Sequence, residues 1–217
     1  MSPNGQLRIA ILGAGNVGAA LGRRLSEVGE EVFFGVRPGT DVSALLADCG
    51  PRARAGSAAE AVAGADMVIL AVPAAAALEV AREAGGLAGK IVIDATNPVG
   101  WADGPTLEPP SEGSVAAALA VALPGAQVVK GFNTFGAEHH RDPGRTGVPI
   151  TTFLAGDDAD AKAGVASLAE RAGFAPVDVG PLRNAAWLES VALVWIQLAI
   201  RGGLGRGIAL QLVGRQT

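Results

Sequence analysis

The sequence predicts an α/β fold, a doubly wound and mostly parallel sheet with a small carboxy-terminal helical extension. Three observations predict it. Continuous apolar runs recur along the chain, IAIL at 9–12, DMVILAV at 66–72 and KIVID at 90–94, each with the length and unbroken hydrophobicity of a parallel strand covered on both faces. Segments of helical spacing separate them, and that alternation is the pattern of βαβ units. The first run breaks into Gly13-Ala14-Gly15-Asn16-Val17-Gly18, a G-x-G-x-x-G opening a helix on which Val17, Leu21, Leu25 and Val28 share one face.

That turn has the physics of a dinucleotide site. Gly13 lets the chain leave the strand sharply, and Gly15 has no Cβ to keep a pyrophosphate from the backbone. Gly18 and Gly22 let the helix lie close on the sheet. The first-turn N–H groups and the positive end of the helix dipole then face the phosphates. The alternative is a phosphate-free turn in which glycine serves packing. With the dinucleotide reading the sheet is of Rossmann type.

Composition sets further bounds. The chain has 217 residues, 49% hydrophobic and only 4% aromatic, which suits close-packed α/β layers in one domain. Its net charge is −4 and no basic stretch exceeds Arg23-Arg24, so nucleic acid is not an expected partner. Cys49 is the one cysteine, which excludes an intramolecular disulfide and a multi-cysteine metal site and fits a reducing cytoplasm. The amino terminus lacks a basic n-region, so no secretory signal is expected. The uncharged run Ser190 to Ile200 is too short to span a bilayer. A soluble, cytoplasmic protein without membrane contact is the expectation.

Taken in order, EVFFGV at 31–36 is the second strand and closes a βαβ unit. Its end bears on the cofactor. An NAD site places Asp or Glu there for the adenine ribose, whereas this chain has Val36 and Arg37, and a guanidinium pairs with a 2′-phosphate. NADP is therefore favoured over NAD, although Arg37 also reads as a solvated surface charge and Asp41 is close by. Asp41 is a plausible N-cap for a short helix with Val42, Leu45 and Leu46 inward. Residues 52–55 suit a short strand. Ser57 and Glu60 form a capping box for a helix that Gly64 ends. Strand 66–72 leads through Pro73 into a helix over 74–84 with Leu78 and Val80 as its larger apolar residues. Strand 90–94 leads into Ala95-Thr96-Asn97-Pro98. Ligands of open α/β sheets sit at the carboxyl ends of strands, so Ala71-Val72-Pro73 and Ala95, Asn97 and Pro98 should line the cofactor beside Gly13. An ordinary turn is the other reading of Asn97-Pro98.

Residues 99–113, rich in Pro and Gly, read as a long loop, either a cover for the substrate or a plain connection. Ser114 caps a helix through about Leu123, and Gln127 to Gly131 is the next strand. Asn133 and Thr134 leave its carboxyl end ahead of Ala137 and the pair His139-His140. Strand 150–155, a helix near 158–172 with Ala161, Val165, Leu168 and Ala169 inward, and strand 174–179 follow. From Asn184 the chain is a helix apolar almost all round, as expected for burial on several sides, here against a second subunit. Gly202-Gly203-Leu204-Gly205 interrupts it before a short helix over 206–213.

The chemistry is limited by what is missing. There is no tyrosine, so a tyrosine-lysine proton relay cannot operate. Adjacent histidines in a polar turn read as surface residues rather than as a base or metal site. Asp94 ends a strand, where carboxylates commonly receive loop N–H groups. No nucleophile elbow, zinc spacing or Walker motif occurs. No catalytic or metal-ligating residue is assigned. The economical reaction is a hydride passed between nicotinamide and an acceptor ring that delocalises its own charge, with the protein acting by alignment.

The chain resembles the NADP oxidoreductases that use the deazaflavin coenzyme F420, whose relatives form the cytoplasmic domain of membrane ferric reductases. The resemblance runs nearly end to end. It rests on IAILGAGNVGAALGRRL, FFGVR, ILAVP, IDATNP, VVKGFNT with Gly136-Ala137, and GPLRNAAWLES leading to GGLGRGIALQL. It implies NADP(H) across Gly13, Ala14, Gly15, Asn16, Val17, Val36, Arg37 and Ala71 to Pro73, with the nicotinamide at Asn97 and Ala137. It implies coenzyme F420 or a flavin as small-molecule co-substrate near Asn133, Thr134 and Leu204. It also implies residues 1–180 as NADP-binding domain and 181–217 as a helical segment that packs on the substrate site and forms a homodimer interface. Family members often have Ser or Thr where this chain has Val36, which weakens the NADP preference. Pyrroline-5-carboxylate reductases share the amino-terminal half but need a longer helical dimerisation domain. A non-catalytic NADP(H) sensor on the same fold, and an imine-type reductase, are the alternatives.

Overall fold

Alternation along the strands decides which helix covers which face. In β1 (Arg8–Leu12) Ile9 and Ile11 point to one side of the sheet and Ala10 and Leu12 to the other, and all four are buried. The computed structural model of the chain describes residues 6–214. Strands β2 (Glu31–Gly35), β3 (Ala53–Gly56), β4 (Met67–Leu70) and β5 (Ile91–Asp94) pair parallel around β1. A separate hairpin is formed by β6 (Val99–Trp101) and β7 (Pro105–Leu107). The main sheet is completed by β8 (Gln127–Lys130), β9 (Thr151–Gly156) and β10 (Ala175–Asp178). Its order is β10-β9-β8-β5-β4-β1-β2-β3, and every pairing is parallel except β8 with β9.

Helices α1 (Asn16–Glu27) and α2 (Ser43–Cys49) cover the Ile9 face, together with α7 (Ala159–Arg171) through Val165 and Leu168. The Leu12 face is covered by α3 (Ala58–Ala63), α4 (Ala77–Ala84) and α5 (Val115–Ala122). A short helix, α6 (Ala137–Arg141), packs on α1. The last helix, α8 (Ala185–Ile196), continues as one π turn (Gln197–Arg201). Winding outward from β1 through β2 and β3, the chain crosses back to β4 on the other side of β1. That reversal opens a crevice at the carboxyl ends of β1 and β4.

Two glycines set the close approach of α1. A Cβ on Gly18 would lie 2.0 Å from the Gly13 carbonyl oxygen, and one on Gly22 would lie 2.1 Å from the Phe34 ring. Both serve packing, as the spacing indicates. The Ser57–Glu60 capping box is formed in both directions, and Ser114 accepts from the Ala117 N–H.

The structure corrects four expectations. The 99–113 stretch contains the β6–β7 hairpin, with Val99 opposite Leu107, and α8 packs on it. Residues 206–214 hold no helix. Glycines at 202, 203, 205 and 207 disfavour one, and the backbone bonds outward instead: the Ile208 carbonyl accepts from Trp195 Nε1 at 2.7 Å, and Leu212 N donates to Thr151 Oγ1 at 3.0 Å. Asp41 is not the N-cap of α2, a position held by Val42. Its Oδ1 accepts from the Ser43 N–H in a local turn. The expected helix over 74–84 is present, beginning as a 3-10 turn, with Ala77, Ala81 and Ala84 buried and Leu78 and Val80 packed partly buried against the core. His139 and His140 are both fully buried rather than on the surface. The ends of the two expected segments, residues 1–5 and 215–217, lie outside the described residues.

Candidate functional site

The site begins with the strand-to-helix turn. Gly13 adopts φ +103°, and a Cβ there would lie 2.7 Å from the Ala71 carbonyl oxygen and 2.8 Å from Val72 Cγ1. The turn is thus bound to the end of β4 by contact that glycine alone permits. Gly15 has open space above it, with no protein atom within 4 Å of a Cβ position. It is the N-cap of α1 and bears no side-chain cap, so the first-turn N–H groups face outward.

On one side of this turn lies a cleft of about 640 Å³ lined by Gly13, Ala14, Gly15, Val36, Arg37 and Ala71 to Pro73. Thr40, Ser57 and Glu83 also line it. Arg37 is exposed and, among the described residues, its guanidinium makes no hydrogen bond or ion pair, while its backbone carbonyl accepts from the Thr40 N–H at 3.1 Å. On the other side a cleft of about 560 Å³ is lined by Ala14, Gly15, Asn16, Ala137, Glu138 and Arg206. Ala14 and Gly15 line both, so the two clefts adjoin at the head of α1.

The remaining residues singled out in the sequence sit deeper. Asn97 and Asn133 hold each other: Asn97 Nδ2 donates to the Asn133 carbonyl at 2.8 Å, and Asn133 Nδ2 donates to Asn97 Oδ1 at 2.9 Å and to the Leu188 carbonyl at 3.1 Å. The pair ties the loops after β5 and β8 to α8. Ala95, Pro98 and Thr134 are buried, Val17 packs half-buried against the core, and Leu204 is exposed on the carboxy-terminal strap.

His140 braces this end of the sheet. Its Nε2 lies 2.7 Å from the carbonyl of Phe132, a residue at φ +58°, and its Nδ1 lies 3.0 Å from the Gly136 carbonyl. Burial pushes its pKa down to about 4, against the two carbonyls that favour the proton, so the ring is neutral at neutral pH. The unfolded chain binds this proton first on acidification. The contribution of His140 to stability is therefore complete above the ordinary value of about 6.5 and declines toward pH 4. Urea denaturation at stepped pH should show that decline, and His140→Asn should flatten it. An equal slope in the variant would assign the acid loss to other groups.

Sequence reading missed four residues, Lys130, Glu189, Thr40 and Arg206. Lys130, Asp94 and Glu189 form a fully buried ionic cluster, in which Lys130 Nζ lies 2.8 Å from Asp94 Oδ2 and 3.0 Å from Glu189 Oε1. Asp94 does receive a loop N–H, that of Thr96 at 2.9 Å, in addition to the lysine. Thr40 lines the cleft of Arg37. Arg206 reaches the second cleft while paired with Glu138 at 2.6 Å. The signal for the cluster was a single charge within each of two apolar runs, QVVKG and WLESVALVW.

Among the described residues, no helix is long and apolar enough to cross a membrane. Residues 8–98 match the family described as NADP oxidoreductase coenzyme F420-dependent. The metalloreductase STEAP3 of Rattus norvegicus is 30% identical over 186 residues, which is 86% of this chain and 36% of that protein. The chain thus spans about a third of the length of this curated relative. A crystal structure of a protein from Arthrobacter sp. FB24, provisionally assigned as an F420-dependent NADP-reductase, is 32% identical with a TM-score of 0.85, covering 96% of this chain and all of that one. A reductive aminase from Aspergillus terreus, solved with NADPH, shares the fold at 20% identity and a TM-score of 0.68, over 91% of this chain and 63% of its own. The match over β1 to β5 takes in the glycine turn and Arg37, and the Arthrobacter protein extends the likeness through α8. The chain belongs to the family of coenzyme F420-dependent NADP oxidoreductases.

Proposed function

We propose that the chain transfers a hydride between NADP(H) and a ring co-substrate, the deazaflavin coenzyme F420 or a flavin. The observation that carries this reading is the pair of clefts adjoining at Gly15, with an unpartnered guanidinium in one and Arg206 lining the other. The residues fit a dinucleotide, since Gly13 and Gly18 permit the close strand–turn–helix packing and Gly15 leaves the space above the turn open. Gly13 to Val17 hold the pyrophosphate through backbone N–H groups. Arg37 reads the 2′-phosphate, with Thr40 offering the hydroxyl that Val36 lacks. Ala71, Val72 and Pro73 bound the adenosine half, and Ala95, Asn97, Pro98 and Ala137 bound the nicotinamide half. When bound, the nicotinamide supplies the hydride. The chain aligns the rings and keeps water from them.

Asn133, Thr134 and Leu204 set the floor and the strap of the co-substrate site. Residues 1–180 bind the cofactor, and residues 181–217 complete the site and join two copies. Trp187, Val194 and Leu198, exposed by 63%, 52% and 37%, form an apolar strip along α8 and the π turn that continues it, which supports this reading. Trp187→Glu combined with Val194→Glu should give monomers in sedimentation velocity where the unaltered chain gives dimers. A monomeric unaltered chain would remove the dimer from the account. A cytoplasmic setting, where NADPH is available, completes the proposal.

Mixing the protein with NADPH and oxidised F420 in a stopped-flow spectrometer, with FMN and NADH in parallel, tests the function. The expected result is rapid, NADPH-dependent bleaching of one ring acceptor. NADPH binding without bleaching would leave a binding protein in place of an enzyme.

A further inference from the structure

Lys130, Asp94 and Glu189 have side chains with no exposure to solvent. The ammonium is fully used: besides the two carboxylates, it donates to the Thr96 carbonyl at 2.6 Å. Glu189 Oε1 also accepts from the Val115 N–H at 3.0 Å. Two carboxylates face one cation, and the ionised set holds one surplus negative charge. Stability alone explains such a set poorly, because well-packed apolar residues of similar volume commonly do as well without the desolvation.

Position gives it another use. Asp94 and Lys130 stand at the carboxyl ends of β5 and β8, and the carbonyl that Lys130 holds lies one residue before Asn97. A fixed charge in a dry interior acts on its surroundings with little screening. A nicotinamide ring is cationic in NADP+ and neutral in NADPH. We propose that the surplus charge of the Asp94–Lys130–Glu189 cluster selects the oxidised cofactor, binding NADP+ more tightly than NADPH and making the bound couple a stronger hydride donor than the free one. This inference rests on the NADP(H) reading of the crevice.

Every group facing the Glu189 carboxylate is accounted for among the described residues: Lys130 from β8, Asp94 from β5 and the Val115 N–H from α5. Burial pushes this carboxyl above the ordinary glutamate value, with Lys130 opposing. Acidification therefore protonates Glu189 ahead of exposed glutamates and cancels the surplus.

The test is calorimetric titration of the full chain with NADP+, NADPH and 2′,5′-ADP, before and after Glu189→Gln, which keeps an acceptor for Lys130 and Val115 and removes the charge. Asp94→Asn removes the other charge independently. NADP+ affinity should fall roughly tenfold in each variant, the scale on which a buried unit charge acts through a weakly screening interior. NADPH and 2′,5′-ADP should change less than about twofold. The preference for NADP+ should also narrow on acidification in the unaltered chain and not in Glu189→Gln. Parallel weakening of NADP+ and NADPH, or no change in either, overturns the inference. Failure of the unaltered chain to bind either nucleotide overturns the underlying reading instead.

Discussion

Replacing Lys130 with methionine is expected to lower the unfolding free energy by about 3–5 kcal/mol, the range for a buried ionic set that loses one partner. Asp94 and Glu189 would then face each other without a cation, and Thr96 would lose the donor on its carbonyl. Both carboxylates lie at 0% exposure, so water cannot replace the lysine without opening the join between α8 and the sheet. Urea denaturation measures the loss. The combined change Asp94→Asn, Lys130→Met and Glu189→Gln should recover most of it, since the damage comes from unpaired charge more than from missing contact. A loss under about 1 kcal/mol for Lys130→Met would mean that the cluster is hydrated and holds nothing together.

Arg37→Ala is expected to weaken NADPH binding by about 1.5–3 kcal/mol, the scale of a hydrogen bond to a charged group, and to leave NADH binding nearly unchanged. The substitution removes no contact of the fold, because the guanidinium makes no bond among the described residues. The end of β2 offers Val36 rather than a carboxylate, so nothing there replaces the arginine or repels a phosphate. Thr40 lines the same cleft and contributes a neutral hydroxyl, which keeps the loss within this range. Arg37→Lys should recover part of the affinity, as a point charge without the two-pronged geometry. Equal losses for NADPH and NADH would mean that Arg37 does not read the 2′-phosphate.

What could be read in the sequence was what local sterics decide. Gly13, Gly18 and Gly22 each answer a close approach within a few residues or to the adjoining strand, and the apolar runs mark strands because both sheet faces are covered. The Arg37 end of the crevice followed from the same strand–turn–helix frame. Pairings across long stretches of chain could not be read in this way. Lys130 and Glu189 are 59 residues apart, and each looked like a single charge in an apolar run until the fold brought them together. His139 and His140 sit in a polar stretch. Their burial depends on the Phe174 ring and on the Ile208 carbonyl, 69 residues from His139. A short helix over 206–213 is the sequence expectation, yet the Ile208 carbonyl is taken by His139 and Trp195, and the Leu212 N–H by Thr151. Backbone groups committed to distant partners cannot build a local helix.

Direct ring-to-ring hydride transfer is the central claim, and a single turnover with NADPH deuterated at C4 tests it most directly. Oxidised F420 serves as acceptor and mass spectrometry reads the product, because the carbon-bound hydrogen of a reduced deazaflavin does not exchange with water as a flavin N–H does. The account predicts a reduced deazaflavin one mass unit heavier than the product from ordinary NADPH, formed more slowly. A product that takes its hydrogen from solvent, or no reduction of either F420 or flavin by a protein that binds NADPH, would contradict it.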